Sequence, residues 1–182
     1  MNCAVLGLVL ALAAAGGATP KKEAAPTFRL RSSSFDSGSS IPARHTCDGG
    51  DASPMLGWAS APTGTRSFAL IVDDPDAPDP AAPQVAWVHW VLYDIPDSVA
   101  ALPEGATTKT MPAGTRPGLN DWKQPIYRGP CPPVGEHRYF FKLYALDVVL
   151  PNLGRPNKAA LEKAMEGHIL AKAELIGKYL HK

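Results

Sequence analysis

Proline and glycine punctuate this chain so often that a turn-rich β architecture is favoured over a helical bundle. The 19 prolines and 16 glycines among 182 residues fall between apolar runs rather than in one segment. Proline fixes φ and lacks a backbone donor, and glycine permits bends, so such runs read as strands bounded by turns. Three read as buried strands: Ser67–Val72 (S-F-A-L-I-V), Val85–Tyr93 (V-A-W-V-H-W-V-L-Y) and Arg138–Leu146 (R-Y-F-F-K-L-Y-A-L). Phe28–Phe35 and Pro54–Trp58 are weaker strand candidates, and Pro103–Gly118 is loop-like. Near the C-terminus Leu161, Met165, Ile169, Ala173, Ile176 and Leu180 recur at helical spacing after a Pro156–Asn157 start signal. A C-terminal helix is therefore expected, weakened or divided at Gly167 and Gly177. With 45% hydrophobic residues the chain has enough apolar material for one sizeable core. The fold class read from this pattern is a β-rich α+β domain.

Val5–Ala15 is an uncharged apolar run, too short to span a bilayer but suited to the core of a signal peptide, and small residues follow at Gly16, Gly17 and Ala18. Residues 1–18 read as a signal peptide and 19–27 as a linker, with the domain over 28–182. A periplasmic or secreted protein is expected, with no transmembrane segment in the mature chain. Export would leave Cys47 and Cys131, a possible disulfide in an oxidising compartment. Such a bridge would stabilise the domain by on the order of 4 kcal/mol in the chain-entropy model. Two buried free thiols are the alternative, and a catalytic thiol at Cys131 lacks a basic neighbour other than Arg128. The net charge of +1 gives no electrostatic footprint for nucleic acid or for an anionic membrane.

The segment Tyr127–Tyr139, Y-R-G-P-C-P-P-V-G-E-H-R-Y, places three prolines, two glycines, a cysteine and a histidine in one loop that enters an apolar strand. Such a loop reads as a rigid rim carrying a few aimed polar groups, the usual arrangement at a small-ligand site. Asp74 and Asp76 flank Pro75 at a strand exit, and in extended geometry they would face the same way and converge on one point. A solvated acidic turn is the plainer reading. Strict alternation puts His89 on the face of Trp87, Val91 and Tyr93, opposite Val88, Trp90 and Leu92, either as a core histidine or in a pocket. His137 and Tyr139 share a strand face, while Glu136 and Arg138 are expected to face solvent. No short metal-binding signature is present, and neither a metal nor another cofactor is expected.

Three of these segments, D-P-D-A-P at 74–78, the histidine of V-H-W at 89 and G-P-C-P-P-V-G-E-H-R-Y at 129–139, together resemble the phosphatidylethanolamine-binding protein family. The wording is most similar to its bacterial branch, often labelled Raf-kinase-inhibitor-like. H-T-C-D-G at 45–49, S-P-M-L-G-W at 53–58, G-L-N-D at 118–121 and G-H-I-L-A-K-A-E-L at 167–175 extend the resemblance from Phe28 to the C-terminus. It implies an antiparallel β-sandwich with peripheral helices and a small cavity for phosphate and similar anions. The lining it implies is Asp74, Asp76, Pro78, His89, Pro132, Pro133, His137 and Tyr139. Animal relatives have further contacts between the D-P-D-A-P turn and the histidine strand, where this chain has Asp79–Gln84 without a tyrosine.

Two aspartates beside an anion need a counterweight. One of them is expected to hydrogen-bond His89 or His137, orient the ring and raise its pKa, leaving the opposite N–H as a donor to the ligand. The resulting reading is a non-enzymatic binding or regulatory protein whose partners are a small anionic or phosphorylated ligand and a protein target. The alternatives are a hydrolase using a His/Asp general base, which lacks a G-x-S-x-G nucleophile elbow, and an inhibitor of a secreted enzyme.

Overall fold

The computed structural model describes Met1 and residues 27–181; the expected signal peptide and nearly all of the linker lie outside the described residues. In chain order the elements are β1 (Arg29–Ser32), a single 3-10 turn (Ala43–His45), β2 (Leu56–Ala59), β3 (Ser67–Asp74), β4 (Trp87–Pro96), β5 (Ala101–Leu102), β6 (Arg116–Pro117), β7 (Glu136–Leu146), α1 (Lys158–Met165) and β8 (Ile169–Leu180). A five-stranded sheet runs β6-β4-β3-β7-β8 and a small one runs β1-β2-β5, every pair antiparallel. Among the described residues no helix is long and apolar enough to cross a membrane.

β3 lies in the middle of the large sheet and is buried along its whole length, so its two faces sort the core. Phe68, Leu70 and Val72 point toward the small sheet, where Leu30, Leu56, Trp58 and Leu102 meet them, joined by Phe141 and Leu143 of β7. Ala69 and Ile71 point the other way and pack with Val91 and Tyr93 of β4 under Leu161 and Met165 of α1. Period-two alternation thus becomes a sandwich on one face and a helix-covered layer on the other. Asp73 shares the helix face and is fully buried; its carboxylate accepts from Lys142 Nζ at 2.8 Å and Lys158 Nζ at 2.5 Å, tying α1 to the sheet.

Two local expectations are corrected. The helical spacing after Asn157 yields a helix only as far as Met165. Asn157 caps it, its side-chain oxygen accepting from the Ala160 N–H at 2.9 Å, and Gly167 at φ +79° turns the chain out of it. Residues 169–180 are instead strand β8, paired along the length of β7. Its buried set is Ala173, Leu175, Gly177 and Tyr179, a period of two, while Ile169 and Leu180 of the helical spacing are exposed. The free edge of β7 and the core beneath it select the strand period over the helical one.

The second correction concerns β4. Pairing with β3 passes from Val72–Trp90 to Asp73–Val88, leaving His89 as the extra residue of a β-bulge. The bulge shifts parity by one. His89 therefore lies on the side of Trp90 and Leu92, with its ring against Tyr139, while Val91 and Tyr93 pack under the helix.

Candidate functional site

A cavity of about 350 Å³ opens at the end of the large sheet where β3 ends and β4 and β7 begin. Asp74, Pro78, His89, Pro132, Pro133 and Tyr139 all line it. Asp76 and His137 do not; they stand one residue back, each hydrogen-bonded to Asp74.

The acidic run does not converge on one point. Asp74 is the last residue of β3, and its Oδ1 accepts from the Asp76 N–H at 2.8 Å, an Asx turn that ends the extended geometry. Asp76 consequently points at Arg138, which binds it with a fork: Nε to Oδ2 at 2.9 Å and Nη2 to Oδ1 at 2.7 Å, with the Arg138 backbone N–H adding a third bond at 2.9 Å. These bonds hold the Asp76 carboxyl below the usual carboxylate range. Arg138, expected in solvent, remains half exposed but is committed to this pair.

Asp74 Oδ2 takes His137 Nδ1 at 2.7 Å, one of the carboxylate–imidazole bonds the sequence allows. The opposite ring nitrogen does not reach the cavity. Gly135, at φ +73°, lets the loop turn back so that Val134 C=O receives His137 Nε2 at 2.9 Å. Both ring nitrogens therefore have partners, one a carboxylate and the other a backbone carbonyl. The fully buried His137 is a bracket between loop and strand.

His89 is the histidine that meets the cavity, and no carboxylate holds it. Its Nδ1 donates to the Arg128 carbonyl at 2.7 Å, and the Arg128 N–H donates to the His89 carbonyl at 3.1 Å, so bulge and loop are clasped reciprocally. Burial pushes its pKa down; the Arg128 carbonyl, then Asp74, oppose that only in part. The expectation of a carboxylate-raised cavity histidine is thus reversed for His89. With Nδ1–H engaged, the neutral ring keeps the Nε2 lone pair as its remaining polar atom.

Tyr139 supplies the other aimed group. It is 1% exposed, and among the described residues its hydroxyl has no hydrogen-bond partner of full geometry, the Cys131 backbone acting on it only as a weaker contact. Burial, with the Asp74 charge adding to it, pushes the phenol pKa upward, which keeps the O–H a donor. A buried hydroxyl left unpaired is uncommon in a folded protein and marks a place where a ligand group can complete the set.

The rest of the wall was not legible in the sequence. Gln84, Val85, Trp87 and Trp122 complete the lining of the cavity. Trp122 packs edge-on against Trp87 at 5.4 Å and His89 at 5.2 Å, and the Arg128 guanidinium lies 5.6 Å from its ring. The G-L-N-D run positions it: Asn120 accepts from the Gln124 N–H and donates to Ile126 C=O, and Asp121 accepts from the Val88 N–H. Its signal was a tryptophan directly following that run. Cys131 also borders the cavity, and its sulfur lies 2.07 Å from that of Cys47, a disulfide. Among the described lining residues Tyr139 carries the one hydroxyl, and the histidine bonded to Asp74 is His137, which stands outside the lining.

A sandwich carrying a small, mostly apolar and aromatic cavity, into which Asp74, Gln84, His89 and Tyr139 bring polar groups, fits a small-ligand-binding protein. Comparison with known proteins names the class more closely. The family model for phosphatidylethanolamine-binding protein matches residues 31–180. UPF0098 proteins of Methanothermobacter thermautotrophicus and Chlamydia pneumoniae are 46% and 42% identical over 153 and 152 residues, in each case 84% of this chain and 98% of the relative. Among solved structures, a phosphatidylethanolamine-binding protein homolog from Chlamydia trachomatis superposes with a TM-score of 0.78 at 39% identity, covering 85% of this chain and 98% of the other. E. coli YbcL, described as a member of the mammalian family, gives 0.77 at 32%, covering 85% and 99%. The chain belongs to the phosphatidylethanolamine-binding protein family.

Proposed function

We propose that this protein is a non-enzymatic binding and regulatory protein whose cavity takes a phosphate or other small anionic group, carried on a free ligand or on a protein target. The observation that carries this reading is the buried, unpartnered hydroxyl of Tyr139, whose ring packs edge-on against His89 in the same cavity. The hydroxyl donates to an anionic oxygen. A neutral His89 accepts, so the ligand that fits brings a proton: a singly protonated phosphate donates its P–O–H to Nε2 while its charged oxygen accepts from Tyr139. Moving that proton onto Nε2 gives imidazolium and dianion, the same proton count by another route. Trp87, Trp122, Val85 and the three lining prolines give the pocket an apolar collar that excludes water from these bonds.

Both routes require one proton in the complex, so affinity must fall as pH rises above the second phosphate pKa of about 6, approaching tenfold per unit. Calorimetric titration of the purified protein with phenyl phosphate between pH 5.5 and 8 tests this. Affinity unchanged from pH 6.5 to 8 refutes the protonated-ligand mechanism, and the absence of binding throughout refutes the anion reading. Export with removal of residues 1–18, to the periplasm or beyond, completes the proposal and is supported by the Cys47–Cys131 bridge; N-terminal sequencing of the mature protein checks it.

A further inference from the structure

Cys131 borders the cavity, yet its sulfur belongs to a second cluster with its own chemistry. The sulfurs of Cys47 and Cys131 and a ring nitrogen of His181 all lie within 4.8 Å of one another. Cys47 Sγ and His181 Nδ1 are 3.8 Å apart. His181 Nδ1 donates to Asp48 at 2.9 Å, and the same carboxylate accepts from Tyr179 O–H at 2.5 Å. The fold builds this meeting from three places. The 3-10 turn leads into Cys47, whose N–H donates to Pro130 C=O at 3.0 Å; the proline loop carries Cys131; and β8 ends at Leu180, delivering His181. None of these contacts serves the cavity's polar atoms.

A tetrahedral zinc ion with Zn–S of about 2.3 Å and Zn–N of about 2.0 Å sets its sulfur and nitrogen ligands roughly 3.6 Å apart and two sulfurs roughly 3.8 Å apart. The observed Cys47–His181 separation already matches. Parting the sulfurs needs only that the disulfide be opened and the two side chains turn about Cα–Cβ, since their Cα atoms stand 5.4 Å apart.

We propose that the reduced chain holds one zinc ion on Cys47, Cys131 and His181, with a solvent water as the fourth ligand, so that disulfide and metal are alternative cross-links at one place. A dithiol reductant opens the S–S bond through a mixed disulfide. Two electrons and two protons pass to the protein sulfurs, and the reductant leaves as its own disulfide. Zinc then displaces both thiol protons into solvent. The Nδ1 proton of His181 moves to Nε2, which the 41% exposed side chain can present to water, and a water molecule completes the tetrahedron. Either cross-link keeps the Pro130–Pro133 wall anchored to the segment after the 3-10 turn, so the cavity keeps its shape in both redox states. The inference is independent of which ligand the cavity takes.

The test uses the full chain, reduced with a dithiol that is then removed under inert gas. It is titrated with zinc chloride against a chromogenic chelator, and separately with cobalt(II) as a spectroscopic probe. The expected result is one equivalent of zinc bound by the reduced chain and none by the oxidised chain. Cobalt should show thiolate charge-transfer absorption and the intense visible bands of a tetrahedral site. His181→Ala should weaken zinc binding at least tenfold with an unchanged near-ultraviolet circular dichroism spectrum, and Cys47→Ser should lose it. His168→Ala, altering an exposed histidine elsewhere, should leave it unchanged. The proposal is overturned by a reduced chain that takes no zinc from the chelator, by octahedral cobalt, or by a His181→Ala chain that binds as tightly. A zinc-loaded reduced chain without its native near-ultraviolet spectrum overturns it equally.

Discussion

Replacing Tyr139 with phenylalanine removes one oxygen from a side chain that is 1% exposed and whose ring packs edge-on against His89 at 5.2 Å. Almost everything the ring does for the core survives. What disappears is a hydroxyl desolvated on folding without a protein partner in return, a deficit of about 1–3 kcal/mol for a buried polar group. The unliganded Tyr139→Phe protein should therefore be as stable as the parent or more stable, by about 1 kcal/mol, which for a domain of this size moves the melting temperature up by about 2–4 °C. With ligand the sign reverses. Loss of a donor to a charged oxygen costs about 1.5–3 kcal/mol, so phenyl phosphate should bind roughly 10- to 150-fold more weakly. Urea denaturation with and without ligand, beside calorimetric titration at pH 6, measures both halves. A variant that is destabilised by more than 1 kcal/mol without ligand would show that the hydroxyl has a protein partner after all. A variant that binds within twofold of the parent would remove Tyr139 from the ligand set.

Gly177 of β8 faces Ile41 and Phe35, where an added Cβ would stand 2.4 Å from Ile41 Cγ1 and 2.9 Å from Phe35 Cε2. Gly177→Val should cost about 1–3 kcal/mol in urea midpoint analysis at unchanged slope, by overpacking. Asp73→Asn leaves Lys142 and Lys158 without their carboxylate beneath the helix. The two lysine side chains are 18% and 22% exposed, so they retain some route to water and the loss should be near the lower end for broken buried pairs, about 3 kcal/mol by denaturant titration. His89 has a folded-state pKa below its ordinary 6.5. Its contribution to stability is full above that pH and is lost as pH falls from 6.5 toward the folded value, because the unfolded chain takes the proton first. Melting temperatures from pH 7.5 to 5 should fall less steeply for His89→Gln than for the parent; parallel curves would refute the assignment.

The reading of the strands from short apolar runs holds for β3, β4 and β7 because these are the fully or alternately buried ladders, where burial and β-propensity agree. The C-terminal segment was ambiguous in itself. Ile169, Ala173, Ile176 and Leu180 fit a helix, while Ala173, Leu175, Gly177 and Tyr179 fit a strand, and only the unpaired edge of β7 decides between them. The bulge at His89 leaves no mark in composition, so parity counted along V-H-W kept His89 beside Trp87 but assigned Val91 and Tyr93 to its face wrongly. Trp122 escaped notice because its loop is brought to the cavity by the bond between Asp121 and the Val88 N–H, which joins residues far apart in sequence.

Within one chain, residue order determined which side chains existed to be used: a β-rich body from short apolar runs, acids at a strand exit, and an imidazole and a phenol entering a proline-rimmed loop. What each of them does depends on its partner, and partners are a property of three-dimensional placement. Asp74 found His137 rather than His89; Asp76 found an arginine; Tyr139 was left with an unanswered hydroxyl. Local sequence sets backbone geometry and hydrophobic period over a few residues. The dielectric around a group and the identity of its hydrogen-bond partner are set by strands tens of residues away, and those decide whether an ionisable side chain holds the fold together or meets a ligand.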